Sequence, residues 1–401
     1  MNPDLAALHP YPFEKLSRLK SGIEPPADRD PIALSIGEPK HSAPAFVTDY
    51  LASNLEGLSH YPTTLGLTEL RETIAHWLQQ RFRLNRAPSA ATEVIPVNGT
   101  REALFSFTQA VISRKQASPR VLMPSPFYQI YEGASFLAGA DCQYLPCREE
   151  NRFLPDYDAV SESQWQQCQL LFLCSPGNPT GAVTPLSTLT KLIELADRYD
   201  FVIASDECYS EIYPDEQQPP VGLLQACAQL GRDDFHRCVV FHSLSKRSNL
   251  PGLRSGFVAG DASLLAPYLL YRTYHGCAMP LQHQRASILA WRDEEHVLAN
   301  RRLYRQKFNE VSTILASTCD IELPDAGFYL WFKTPAGYDD ERFARELFAR
   351  QNITVLPGSY LARDINGVNA GANRVRMALV ASLEECREAA ERIKSFLLSI
   401  D

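Results

Sequence analysis

From about residue 60 to 280 the chain alternates short, almost unbroken apolar runs with longer stretches in which apolar positions recur every three to four residues. TEVIPV, RVLMPS, QLLFLCS, FVIASD, RCVVFHS and RSGFVAG read as strands, and REALFSFTQAVI and LSTLTKLIELADRYD as amphipathic helices. Such alternation predicts an α/β domain with a mostly parallel sheet. The strands lack apolar/polar alternation, so helices should cover both sheet faces. Functional loops are then expected at the strands' carboxyl ends. Beyond residue 290 the pattern changes: EEHVLANRRLYRQKFNEVSTILAS reads as one long helix. GFYLWFKT, the helix DERFARELFARQ, the strand-like ITVLPG and RVRMAL follow. A last helix should start at Ser382, where Glu385 completes a capping box. The expected division is an N-terminal segment (1–45), a large domain (46–290) and a smaller α+β domain (291–401). Prolines 25, 26, 31, 39 and 44 break up the first segment, which should pack on the smaller domain and rim the site.

Composition narrows the function classes. A formal net charge of -8 with no long basic run argues against nucleic-acid binding, which needs clustered Lys and Arg. The ten cysteines are scattered without a C-x-x-C pair, so they read as thiols of a reducing compartment, and no metal site is expected. The N-terminus lacks the basic-then-apolar order of a secretory signal. No uncharged apolar stretch is long enough to span a bilayer, so a cytoplasmic protein without a membrane partner is expected.

Candidate chemistry concentrates in FHSLSKRSNLPGLRSGFVAG, where a turn after a strand carries Ser243, Ser245 and Lys246, with Arg254 eight residues on. Two hydroxyls and a guanidinium suit a dianionic phosphate. A lysine that condenses with an aldehyde must be deprotonated, which calls for a desolvated or electropositive setting. Alone, S-x-S-K reads equally well as a polar surface turn. In FVIASDECYSEIY, Asp206 ends a strand and Tyr209 follows three residues later; a carboxylate there can face a heterocyclic nitrogen, although a strand-end Asp is more often a cap or turn residue. LLFLCSPGNPTGAVTP holds Asn178, an amide with both donor and acceptor, in a rigid Pro- and Gly-rich loop. EVIPVNGTREALF leads from a strand through Gly99, Thr100 and Arg101 into a helix, whose free N–H groups make an anion site. Tyr128 in PSPFYQIY can stack on a flat ring, against the commoner reading of a buried aromatic.

Taken together and in this order, the segments resemble the fold-type I pyridoxal-phosphate aminotransferases of classes I and II over essentially the whole chain. The resemblance implies pyridoxal 5′-phosphate as cofactor, with Lys246 as its anchoring lysine and proton shuttle. It puts Asp206 on the pyridine nitrogen and Tyr209 and Asn178 on the ring oxygen. Tyr128 would stack on the ring, and Gly99, Thr100, Arg101, Ser243, Ser245 and Arg254 would hold the phosphate. HYPTTLGLTELRETIA matches the segment in which a tyrosine reaches the neighbouring subunit's phosphate, so Tyr61 implies a homodimer. Gly37, in SIGEP, Asn178 and Arg376 are implied for the substrate carboxylate, with Arg374 in the same NRVRMAL segment as the alternative to Arg376. Substrates would be an amino acid and a keto acid.

Within the family, LHPYPFEKLSRLKSG, SIGEPKH and SLSKRSNLPGLRSG are similar to bacterial succinyldiaminopimelate transaminases of lysine and diaminopimelate synthesis. That similarity implies N-succinyl-LL-2,6-diaminopimelate as donor and 2-oxoglutarate as acceptor. Transfer from aspartate, alanine or acetylornithine, or carbon–sulfur elimination, would use the same Lys, Asp and Tyr.

Overall fold

The computed structural model describes residues 1–400. Its largest sheet has seven strands: β1 (Val94–Val97), β2 (Arg120–Ser125), β3 (Asp141–Pro146), β4 (Cys168–Cys174), β5 (Val202–Asp206), β6 (Cys238–Ser243) and β7 (Gly256–Gly260). They lie side by side in the order β1-β7-β6-β5-β4-β2-β3. Strand β7 runs antiparallel to β1 and β6, and every other neighbouring pair is parallel. Six of the seven are the apolar runs of the sequence. The seventh, β3, was not expected. It is an edge strand whose positions are mostly half-buried, so its sequence, DCQYLP, never acquires a continuous apolar run.

Alternate residues of each strand enter different cores, which is why the runs are apolar throughout. Leu122, Leu171, Ile203, Val240 and Phe257 pack with Leu70, Ile74 and Leu192 on one face. Val121, Phe172, Ala204, Val239 and Phe241 pack with Leu104, Phe107 and Tyr131 on the other. Strand β7 is drawn tightly against β6: a side chain at Gly260, whose φ is +143°, would lie 2.1 Å from the Cys238 carbonyl oxygen.

The smaller C-terminal sheet contains β8 (Tyr329–Lys333), β9 (Leu356–Pro357) and β10 (Arg374–Ala378), antiparallel in the order β9-β10-β8. The apolar run ITVLPG, expected as one strand, is divided at Val355. Ile353–Thr354 pairs in parallel with Ile32–Ala33, while Leu356–Pro357 joins β10. The pairing brings Ile32 and Leu34 into a core with Leu330, Phe343, Val375 and Phe396. Residues 34–38 then run toward the large sheet: the Leu34 N–H donates to Thr354 and its carbonyl accepts from Ala378, at 2.8 and 2.7 Å.

Two helices bear on the sequence reading. Pro12–Lys20 is helical despite the neighbouring prolines, because Pro12 occupies the first turn, where its missing N–H costs nothing. Leu383–Leu398 starts from Ser382 with the full capping box. Among the described residues no helix is long and apolar enough to cross a membrane.

Candidate active site

The parallel strands end on one edge of the sheet, and their carboxyl ends carry the polar residues singled out above. Behind β1, Gly99 caps the helix Thr100–Val111 with φ +86°, and no side chain caps its first N–H groups. Tyr128 follows β2, Asn178 follows β4, Asp206 is the last residue of β5, and Ser243 is the last of β6. The four-residue helix Leu244–Arg247 then presents Ser245 and Lys246. A cavity of about 580 Å³ opens here, lined by Thr100, Arg101, Tyr128, Asn178, Asp206 and Tyr209, by Ser243, Ser245, Lys246 and Arg254, and by Gly37 and Arg376 from the other side.

Asp206 is 5% exposed, with no cation against it. One carboxylate oxygen accepts from the Tyr131 hydroxyl at 2.8 Å and the other from the Cys208 N–H at 3.3 Å. Burial raises its pKa, and those hydrogen bonds pull it back down. A buried carboxylate aimed into a cavity calls for a protonated partner there.

Lys246 Nζ donates to the Gly37 carbonyl oxygen at 2.5 Å. Its pKa is pushed down to about 8, chiefly by burial, with Arg376 and Arg101 adding to the lowering and Cys208 and Glu38 opposing it. The amine is thus far closer to its reactive neutral form at neutral pH than a solvated lysine.

Around the helix start, the Ser243 hydroxyl accepts from the Ser245 N–H at 3.0 Å and donates to the Ser245 hydroxyl at 2.9 Å. Arg254, left-handed at φ +53°, reaches back to the Asn98 carbonyl at 3.2 Å. Its guanidinium lies so close to Gly99 that a Cβ there would fall 2.1 Å from Nη2. Hydroxyls, free N–H groups and a guanidinium therefore share one end of the cavity, a donor set suited to phosphate. Tyr128 forms one wall, its hydroxyl accepting from Arg101 Nε at 2.7 Å.

At the opposite end Arg376 is 5% exposed and donates to Asn178 Oδ1 at 2.9 Å and to the Ser35 carbonyl at 2.8 Å. Its guanidinium lies over the Tyr329 ring, 4.6 Å from the centroid. Arg374, two residues earlier on β10, instead meets Glu149 at 2.8 Å, the Trp331 carbonyl at 2.9 Å and the Phe153 ring, and does not line the cavity. Tyr61 also lies outside the cavity and is fully exposed.

Two tyrosines that the motif reading passed over complete the arrangement. Tyr131 holds Asp206, and Tyr329 shares a 2.9 Å hydroxyl contact with Tyr209. A Y-x-x-Y spacing at the start of the helix Gln129–Ala138 was a usable signal for Tyr131. Nothing local marks Tyr329, whose role arises from strand pairing. Tyr11 and Phe13, from the N-terminal segment, and Cys208 also line the cavity.

Comparison with known proteins agrees with this geometry. Residues 29–393 match the family described as aminotransferase class I and II. The LL-diaminopimelate aminotransferase of Maridesulfovibrio salexigens is 31% identical over 393 residues, covering 97% of each chain. A crystal structure of an aminotransferase from Neisseria meningitidis Z2491 superposes with a TM-score of 0.94 at 50% identity, covering 99% of this chain and all of that one. The aminotransferase AspB from Helicobacter pylori 26695 gives 0.89 at 36% identity, with 97% and 98% covered. With a buried lysine of lowered pKa, a buried carboxylate and a cluster of hydroxyl, N–H and guanidinium donors at the sheet's carboxyl edge, the chain belongs to the class I and II aminotransferases, fold-type I enzymes that use pyridoxal 5′-phosphate.

Proposed function

We propose that the chain transfers the amino group of N-succinyl-LL-2,6-diaminopimelate to 2-oxoglutarate, with pyridoxal 5′-phosphate anchored on Lys246. The observation that carries the transamination is the convergence of the Lys246 amine, the Asp206 carboxylate and the Arg376 guanidinium on one cavity. Its volume of about 580 Å³ lies within the ~300–1,000 Å³ of small-molecule sites. The residues fit the cofactor on their own chemistry: a buried carboxylate with no cation against it, a lysine of depressed pKa and a cradle that excludes any side chain at Gly99.

When bound, the cofactor supplies an electron sink that weakens the substrate's Cα–H bond. The chain's residues do the rest. Asp206, fixed by Tyr131, keeps a proton on the pyridine nitrogen. Thr100, Ser243, Ser245 and Arg254 hold the phosphate together with the N–H groups from Gly99 to Arg101. Tyr128 stacks on the ring, and Tyr209 and Asn178 bond its oxygen. Arg376, oriented by Asn178 and Ser35, takes the α-carboxylate beside the Gly37 main chain. With its amine freed by the substrate's amino group, Lys246 would be the base that accepts the Cα proton. A homodimer completes the site in this reading: Tyr61 is fully exposed and follows exposed Leu55 and Leu58 in sequence, apolar surface suited to a second copy that takes Tyr61 toward its phosphate end. Ten unpaired cysteines support a cytoplasmic setting.

The succinylated donor rests on the segment similarities; the relatives' own names favour a second reading, unmodified LL-diaminopimelate. The test mixes the cofactor-loaded protein with each donor, without keto acid, and follows absorbance for conversion of the cofactor to its amino form. Conversion by the succinylated donor, absent in Lys246→Ala, supports the first reading. Conversion by LL-diaminopimelate alone replaces it with the second, and conversion by neither refutes both.

A further inference from the structure

The Lys246 amine has an evident partner in Gly37, but the main chain beneath it is held by a separate set of residues. Asn300, on the helix Glu295–Leu315, is 3% exposed and lies behind the short helix carrying Lys246. Its Nδ2 donates to the main-chain oxygens of Lys246 and Arg247, each at 3.3 Å. A four-residue helix cannot satisfy its own last carbonyls, so these two need an outside donor.

The opposite side of the same amide is equally engaged. Asn300 Oδ1 accepts from Asn249 Nδ2 at 2.9 Å and faces His41 Nδ1 at 2.7 Å. Turning the amide over would set its oxygen against two carbonyl oxygens, so its orientation is fixed. His41 must then donate from Nδ1, which leaves Nε2 as an acceptor. Lys307, two turns along the helix from Asn300, donates to that Nε2 at 2.6 Å and to the Val380 carbonyl at 3.3 Å. The His41 ring packs against Tyr304 at 4.7 Å.

We propose that Asn300, oriented by His41 and Lys307, is a positioning residue for Lys246, fixing the lysine's main chain so that its amine keeps a set reach into the cavity. The segment 34–41 thereby holds Lys246 at both ends: Gly37 takes the amine, and His41 acts through Asn300 on the backbone. One positive charge fits between Lys307 and His41, since a second proton would set N–H against N–H. In agreement, burial pushes Lys307 down to about 8 and lowers His41; Cys386, Glu385 and Glu384 favour the Lys307 charge, and Lys40 opposes it.

The inference rests on Lys246 being the cofactor's anchor, and its test separates the two. In Asn300→Asp the shape and both acceptor contacts persist, but an oxygen replaces the donor to the two carbonyls. In His41→Phe the contact with Tyr304 persists and the hydrogen bonds are lost. Both variants are loaded with cofactor, and its absorbance is titrated against pH alongside steady-state kinetics and melting. For Asn300→Asp, the midpoint should move by about one pH unit, and kcat should fall about tenfold with KM within about twofold. His41→Phe should move both in the same direction by less. An unchanged midpoint and kcat in Asn300→Asp overturn the proposal. So does a loss of activity that follows only the fall in melting temperature. Should Asn300→Asp fail to accumulate, His41→Phe decides by the same midpoint. Lys246→Ala is the separate control: if it retains the wild-type cofactor spectrum, the anchor assignment fails, whatever the Asn300 result.

Discussion

Replacing Arg376 and Arg374 by lysine, one at a time, tests whether the arginine that lines the cavity is the one that recognises the substrate. Arg376 holds Asn178 and Ser35 with two arms of its fork and faces the cavity. Lysine keeps the charge but cannot hold both partners while also meeting a carboxylate with two parallel bonds. Losing two charge-assisted bonds at about 1.5 kcal/mol each gives about 3 kcal/mol, or roughly 150-fold in kcat/KM. Both half-reactions should suffer, because the amino donor and the keto acid both carry the α-carboxylate. Arg374 ends on Glu149, whose side chain is 54% exposed. Such a pair contributes at most about 1 kcal/mol, so Arg374→Lys should leave kcat/KM within about twofold. The assay is steady-state kinetics with each co-substrate varied in turn. Equal losses in the two variants, or an Arg376→Lys enzyme within about fivefold of wild type, would refute the assignment.

Three further outcomes follow from the same geometry. Loading of the cofactor-free protein with pyridoxal phosphate should accelerate as pH rises through about 8, because only the neutral Lys246 amine attacks the aldehyde; a stopped-flow rate that is flat across that range contradicts it. In Gly37→Ala the new methyl would lie 1.9 Å from the Tyr329 hydroxyl, forcing that ring away from Tyr209. The cost should be about 1–3 kcal/mol of stability with a drop in kcat, read by thermal melting and kinetics. Arg363→Met leaves the Glu132 carboxylate, 4% exposed, without the guanidinium that meets it at 2.6 Å. Destabilisation of about 3–5 kcal/mol is expected in denaturant unfolding, and Glu132→Gln in the same chain should recover much of it.

How far the sequence could be read depended on whether a signal was local. Asp206 ends one apolar strand and Lys246 follows the end of another by three residues, so strand pattern and motif placed them together before any contact was known. Strand β3 escaped because an edge strand does not need a continuous apolar run. Arg374 and Arg376 could not be told apart by periodicity, since residues two apart on a strand share a face. What separates them is the neighbour each meets, Glu149 or Asn178, and both neighbours come from distant parts of the chain. The same holds for Tyr329 and for the Asn300 contacts. ITVLPG shows the limit from the other side: its apolar pattern was read correctly, yet the run serves two different sheets, which only the tertiary partners decide.

The hydrogen bond from Arg376 to the Ser35 carbonyl spans 341 positions of sequence. During synthesis, the segment around Ser35 leaves the ribosome long before its partner exists. At ~5–20 residues per second the wait is roughly 17–70 seconds. Through that interval the large sheet can form, since all seven of its strands lie between Val94 and Gly260. The smaller sheet and the corner of the cavity around Arg376 cannot. A nascent chain arrested near residue 350 should therefore hold a folded large sheet with an open, unfinished site, and the apolar Ile32 and Leu34 would be uncovered until the last strand is made.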